Sequence, residues 1–141
     1  MIDSGSGYER RPRMGRASRN KGKVGQRELV ALLRECGWDG AHTEAGAQSV
    51  GAKVPDVDAP GLPLWIECKY AKAFKLKEAL RQAETDTTED RQPVVMFRLS
   101  DRSGPRDDPF KKWMCLVDAE YLLLLERLKA MHWGKGEKAD G

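Results

Sequence analysis

Residues 54–70 read Val54-Pro55-Asp56-Val57-Asp58-Ala59-Pro60-Gly61-Leu62-Pro63-Leu64-Trp65-Ile66-Glu67-Cys68-Lys69-Tyr70, and this stretch decides the fold. Leu64–Tyr70 is the best strand in the chain. Side chains alternate across a strand, so Glu67 and Lys69 share a face, about 7 Å apart, while Ile66 and Cys68 point the other way and pack. A shorter strand is expected around Val54–Asp58, and the Pro and Gly content of 58–63 makes a turn between the two. If they pair as a hairpin, Asp56 and Glu67 come together. Two neighbouring carboxylates repel unless a cation neutralises them. Oxygen ligands of this kind suit a hard divalent ion, Mg²⁺ or Mn²⁺. Taken singly, each acid has an ordinary explanation: Glu67-Cys68-Lys69 as a surface ion pair on an edge strand, Asp56 as a turn acid after proline. The pair on adjacent strand ends is less easily explained in that way.

On the N-terminal side, Leu29, Leu32, Leu33 and Cys36 fall at i, i+3, i+4 and i+7, which predicts a helix from about Lys21 to Cys36. Gly37 is placed to end it in a left-handed conformation. Glu28 lies on the edge of the buried stripe, where it either reaches a site or pairs with Arg27 or Lys23. Gly25, one turn earlier, leaves room for a close approach. Residues 38–53 are rich in Gly and Ala, with one short strand near Ala41-His42-Thr43.

On the C-terminal side, Leu76, Ala79, Leu80 and Ala83 mark a second helix. Gln82 on that helix is a candidate for orienting a water or touching a phosphate, against the plainer reading of an exposed glutamine. Pro93–Leu99 reads as a buried strand, 100–110 as a loop and Trp113–Val117 as a last strand. Asp118 is placed to cap a final helix to about Ala130, with Leu122, Leu125 and Leu128 on its inner face. The order α-β-β-β-α-β-β-α predicts an α/β fold, a small mixed β-sheet flanked by helices. Residues 1–20 are expected to be a flexible basic arm, 21–132 the folded domain and 133–141 a frayed tail.

The chain has 141 residues, enough for one domain with its own core. No apolar run approaches the length of a membrane span, and no apolar signal region argues for export. Three scattered cysteines, Cys36, Cys68 and Cys115, and two distant histidines, His42 and His132, lack zinc-ligand spacing. They read as reduced, mostly buried thiols of a cytoplasmic protein. Trp38 and Trp65 read as core. The net charge is +3, but Arg10, Arg11, Arg13, Arg16, Arg19, Lys21, Lys23 and Arg27 crowd into residues 1–27. A basic arm ahead of a near-neutral domain favours a polyanionic partner. Lys72, Lys75, Lys77 and Lys111-Lys112-Trp113 are placed to line the same groove, or are plain surface residues.

With these residues in view, the chain resembles the PD-(D/E)xK nuclease superfamily, Pro55-Asp56 forming the first half of its motif and Glu67-Cys68-Lys69 the second. Within it the chain is most similar to archaeal-type and phage-encoded Holliday junction resolvases. The shared features are the basic start Arg19-Asn20-Lys21-Gly22-Lys23, then Gly25-Gln26-Arg27-Glu28-Leu29, then a Gly-rich stretch leading into Pro55-Asp56. The resemblance runs from about Lys21 to Leu128 and implies a restriction-endonuclease-like core. It implies that Asp56 and Glu67 ligate Mg²⁺ (or Mn²⁺) and that the backbone carbonyl of Cys68 is a further ligand. It also implies that Lys69 orients or activates the attacking water, and that Glu28 reaches the metal directly or through water. Cys68 stands where the family has a plain aliphatic residue and is read as packing. Ser49 is a candidate for a resolvase-like serine.

The activity implied is Mg²⁺-dependent hydrolysis of phosphodiester bonds in branched DNA, with Arg16, Arg19, Lys21, Lys23 and Ser49 contacting the DNA. Flexible basic segments contact phosphates without reading sequence. One site cuts one strand, so symmetric cutting of a four-way junction requires a C2 homodimer. The expected setting is the cytoplasm of a prokaryotic cell or a phage-infected host, with no membrane partner. The alternatives are a restriction-like or repair nuclease on the same core, an RNA-directed nuclease, and a non-catalytic DNA-binding protein on a nuclease fold. No separate sequence-reading module is visible to support the first. The presence of Glu28, Asp56, Glu67 and Lys69 together argues against the last.

Overall fold

A computed structural model describes residues 16–44, 53–100 and 111–140. In chain order its elements are α1 (Arg16–Glu35), β1 (His42–Thr43), β2 (Val57–Asp58), β3 (Leu64–Ala71), α2 (Leu76–Asp86), β4 (Gln92–Leu99), β5 (Met114–Leu116) and α3 (Ala119–Asp140). This is the predicted α/β order. The five strands form one mixed sheet whose spatial order follows the chain. β1–β2, β2–β3 and β4–β5 pair antiparallel, and β3–β4 pair in parallel over their whole length, from Leu64 opposite Gln92 to Ala71 opposite Leu99. A parallel pair needs a long crossover, and α2 provides it.

The period-2 pattern of β3 sorts the two faces of the sheet. Ile66 is fully buried and packs with Leu29, Val30 and Leu33 of α1, together with Val57 and Val94; Cys68 and Met96 border the same cluster. On the other face Val95 and Phe97 pack against Ala79 of α2, with Phe74, Leu80 and Leu116 around them. Glu67 and Lys69 stand opposite Val95 and Phe97 in the register, so they emerge on the α2 face. α1 approaches the sheet closely at Gly25: a Cβ there would lie 2.3 Å from the Cβ of Tyr70. The close approach expected at Gly25 is therefore to Tyr70.

Local signals hold at the joints. Gly37 adopts φ +100°, and the N–H groups of Gly37 and Trp38 donate to the carbonyls of Arg34 and Leu33, closing α1 in the manner glycine allows. Arg34 donates to the Ala41 carbonyl (2.8 and 3.2 Å), tying α1 to the start of β1. Gly61 (φ +87°) follows Pro60 in the turn closed by Leu62 N–H on the Ala59 carbonyl, the Pro-Gly order of a type II turn. Asp118 caps α3 through the N–H of Glu120 (2.8 Å).

Several expectations are corrected. α1 begins at Arg16, so residues 16–20 are helix rather than arm; Arg-Ala-Ser-Arg-Asn contains no Gly or Pro to stop it. α3 continues to Asp140 instead of ending near Ala130. Leu122, Leu125 and Leu128 do not face a core: they are 48%, 44% and 63% exposed, and Leu123 and Leu124 are exposed too. Among the described residues, these leucines of α3 have no apolar surface covering them. Cys36 and Cys115 are exposed, and only Cys68 is partly buried. β2 is only two residues long, so Asp56 precedes it rather than ending a strand. Trp65 is buried and Trp38 borders the core, as expected. The arm over 1–15 and Ser49 lie outside the described residues. No described helix is long and apolar enough to cross a membrane.

Candidate active site

The hairpin of β2 and β3 fixes Asp56 from three sides. Its N–H donates to the Ile66 carbonyl (3.1 Å), and its carbonyl accepts from the Glu44 N–H (3.4 Å). Its Oδ2 accepts from the backbone N–H of Cys68 (2.8 Å). That last bond carries the Asp56 side chain across to β3, beside Glu67. The Glu67 side chain is only 14% exposed, and the Lys69 Nζ lies 3.4 Å from its Oε1 along the same strand face. Burial first, and the Asp56 carboxylate second, push Glu67 up to about 7, with Lys69 pulling the other way. One lysine does not offset two carboxylates in a half-buried place, which is the electrostatic condition a divalent cation relieves.

Asp56, Glu67 and Lys69 open into a cleft of about 440 Å³ whose far wall is Glu78, Gln82 and Asp86 of α2. The cleft exists because α2 lays its small residues, Ala79 and Ala83, against the sheet, while its larger polar residues stand along the rim. Gln82 donates to the Asp86 carboxylate. Glu78 and Asp86 were not singled out from sequence. The signal was present: they lie four residues either side of Gln82 and so share its ridge.

The structure does not bring Glu28 into this cleft. Glu28 lies on the α1 face, where its Oε1 accepts from the indole N–H of Trp113 (3.0 Å) and from the Arg98 guanidinium. Trp113 in turn stacks on Tyr70. The two groups meet electrostatically at Cys68. Burial pushes its thiol well up, with the charges of Asp56 and Glu67 adding to this, Lys69 opposing it and Glu28 contributing last. Cys68 is therefore a neutral packing thiol, and only its backbone carbonyl is a suitable oxygen donor. Lys21 is partly buried and Lys23 exposed along α1; Arg16 and Arg19 lie on its first turns.

The donors at hand, two carboxylates and a carbonyl, are all oxygen, which fits a hard divalent ion such as Mg²⁺. A mixed sheet whose β2–β3 hairpin brings Pro55-Asp56 beside Glu67-Cys68-Lys69, with helices on both faces, is the layout of the PD-(D/E)xK nuclease superfamily. The profile of archaeal Holliday junction resolvases (Hjc) matches residues 17–86, from α1 to the end of α2, and over those residues the chain is similar to that family. The matched span holds Glu28, Asp56, Glu67, Cys68, Lys69 and Gln82. Comparison with curated proteins and with solved structures gave no match.

Proposed function

We propose that the chain is a Mg²⁺-dependent endodeoxyribonuclease that cuts branched DNA, with the four-way junction as its substrate. The observation that carries this reading is the pairing of Asp56 with a half-buried Glu67, pushed up to about 7 beside Lys69, in a solvent-open cleft. The family match supplies the substrate class. Asp56, Glu67 and the Cys68 carbonyl hold the ion in this reading. When bound, Mg²⁺ supplies Lewis-acid polarisation of the phosphate and acidifies water. The chain's own residues do the rest. The Cys68 N–H fixes the rotamer of Asp56. Lys69 places positive charge beside the reacting phosphate and positions the attacking water. Gln82, on the opposite wall, is placed to touch that water or the phosphate. Glu28, held on the α1 face by Arg98 and Trp113, contributes to the site only through its charge, which is felt at Cys68.

Arg16, Arg19, Lys21 and Lys23 on α1, with the arginines before them, contact phosphates in this account, and Ser49 is kept as a candidate DNA contact. Symmetric cutting needs two sites about a twofold axis, so the working form is a C2 homodimer. The exposed leucines of α3 are the surface offered to the second copy, since a run of five exposed apolar side chains within seven residues is unusual on a monomer. The cytoplasm, where thiols stay reduced, is the setting.

The test is cleavage of a labelled four-way junction beside a linear duplex and a single strand, with Mg²⁺ and with chelator. Paired symmetric nicks confined to the junction and lost with chelator are expected. Cutting of linear DNA keeps the metal site but replaces the resolvase reading with a restriction-like or repair nuclease. Binding without cleavage of any substrate would leave a non-catalytic DNA-binding protein.

A further inference from the structure

A second group of ligating side chains lies on the β1–β2 pair, apart from the cleft. His42 stands directly opposite Asp58 in the antiparallel register, so the two share a face. Glu44 lies two residues beyond His42 and returns to that face. One ligating atom from each of His42, Glu44 and Asp58 lies within 4.8 Å of the other two. An ion about 2.1 Å from each donor holds them roughly 3 to 3.5 Å apart, so small rotations of these side chains close the site. Glu44 and Asp58 also line a cavity of about 270 Å³, which gives an ion a path in from solvent.

The hydrogen bonds of His42 set it up as a ligand. Its Nδ1 lies 2.9 Å from the Gly40 carbonyl, an acceptor only, so Nδ1 carries a proton. Its Nε2 then faces the Glu44 Oε1 at 2.5 Å. With a proton on Nε2 as well, the imidazolium donates to the Glu44 carboxylate as an ion pair, and those hydrogen bonds favour the protonated ring; a divalent ion binds here by displacing the Nε2 proton and drawing the two groups apart. A backbone carbonyl on the distal ring nitrogen is the usual second partner of a metal-bound histidine. Asp58 accepts from the Ala59 N–H (2.9 Å), and Arg91 reaches it only at 3.3 and 3.4 Å. Arg91 is ion-paired with this carboxylate, so a bound ion shares Asp58 with the guanidinium and uses the remaining capacity of Oδ2.

We propose that His42, Glu44 and Asp58 form a second cation site that takes a borderline transition ion such as Zn²⁺, Co²⁺ or Mn²⁺ rather than Mg²⁺. One imidazole among the donors selects against Mg²⁺, which prefers oxygen. The site brackets Asp56: Glu44 donates its N–H to the Asp56 carbonyl, and Asp58 follows Asp56 by two residues. An ion there staples β1 to β2 and makes Asp56 a better-fixed ligand. The site is structural, and its existence does not depend on the nuclease reading.

The test uses the full chain carrying Asp56→Asn and Glu67→Gln, which empties the cleft, in excess Mg²⁺. Equilibrium dialysis should find one Co²⁺ per chain with a visible d–d band and no thiolate charge-transfer band. His42→Ala or Glu44→Gln added to that background should weaken Co²⁺ at least tenfold, while His132→Ala, at the only other histidine, leaves it unchanged. Should His42→Ala not fold, the unmutated protein answers: Zn²⁺ must shift the ¹⁵N resonance of His42 Nε2 and leave Nδ1 protonated. Absence of Co²⁺ from the double variant, equal Co²⁺ affinity with and without His42, or an unmoved Nε2 resonance would overturn the proposal. A junction-cleavage assay that fails while Co²⁺ binds overturns the nuclease reading alone.

Discussion

Glu67 is the residue on which pH acts. Its ordinary value is 4.5, and burial with the Asp56 charge raises it to about 7 in the folded chain. The folded, metal-free protein therefore holds a proton that the unfolded chain gives up from pH 4.5 to 7. Stability of the metal-free form should fall as pH rises through that window and level off above it, which urea titrations at a series of pH values will show. Binding of Mg²⁺ expels that proton, so the apparent Kd should rise about tenfold for each pH unit below 7; calorimetry in buffers of different ionisation enthalpy counts the proton. Glu67→Gln should stabilise the metal-free protein by about 1 kcal/mol at neutral pH and lower cleavage by about 10³-fold or more. Asp56→Ala and Lys69→Ala should also abolish cleavage while junction binding persists; a fully active Asp56→Ala protein would sink the site assignment. Cys68→Val should keep cleavage within a few-fold, because only the backbone of that residue faces the site. Glu67, Lys69 and Asp56 were legible because strand alternation and a short turn leave few ways to arrange them. The Arg98 and Trp113 partners of Glu28 were not, since they lie 70 and 85 residues away in sequence, on β4 and just before β5, and no local pattern announces them.

At the level of elements, α1 is held to β3 through a glycine. Gly25→Ala would drive a methyl group into Tyr70, and because the clash is with Cβ rather than a flexible tip, the helix must move. A loss of about 1–3 kcal/mol is expected, measured as a lower Tm, with a drop in cleavage if Glu28 is displaced. The sheet was readable from sequence wherever an element buries a patterned face: β3, β4, α1 and α2 all do so. It failed where burial is absent. The leucines of α3 have helical spacing, and spacing predicts a face without saying what covers it. Residues 16–20 failed for the opposite reason: a polar, basic run has no apolar period to read, yet nothing in it prevents helix.

The whole molecule presents charge at one end of its chain and apolar surface at the other. Removal of residues 1–15 should weaken junction binding and flatten its dependence on log salt concentration; an unchanged slope, measured by fluorescence anisotropy, would remove the arm from the interface. Sedimentation should show a dimer that Leu123→Glu with Leu128→Glu converts to monomer, with paired nicking lost and single nicks remaining. The two walls of the cleft differ in what holds them in place. The sheet wall is locked by register and by the core beneath it, whereas Glu78, Gln82 and Asp86 ride on a helix that packs on the sheet through Ala79, Leu80 and Ala83. Changes at Glu78 and Asp86 therefore reshape the mouth of the cleft while the hairpin register that sets Asp56 beside Glu67 stays as it is.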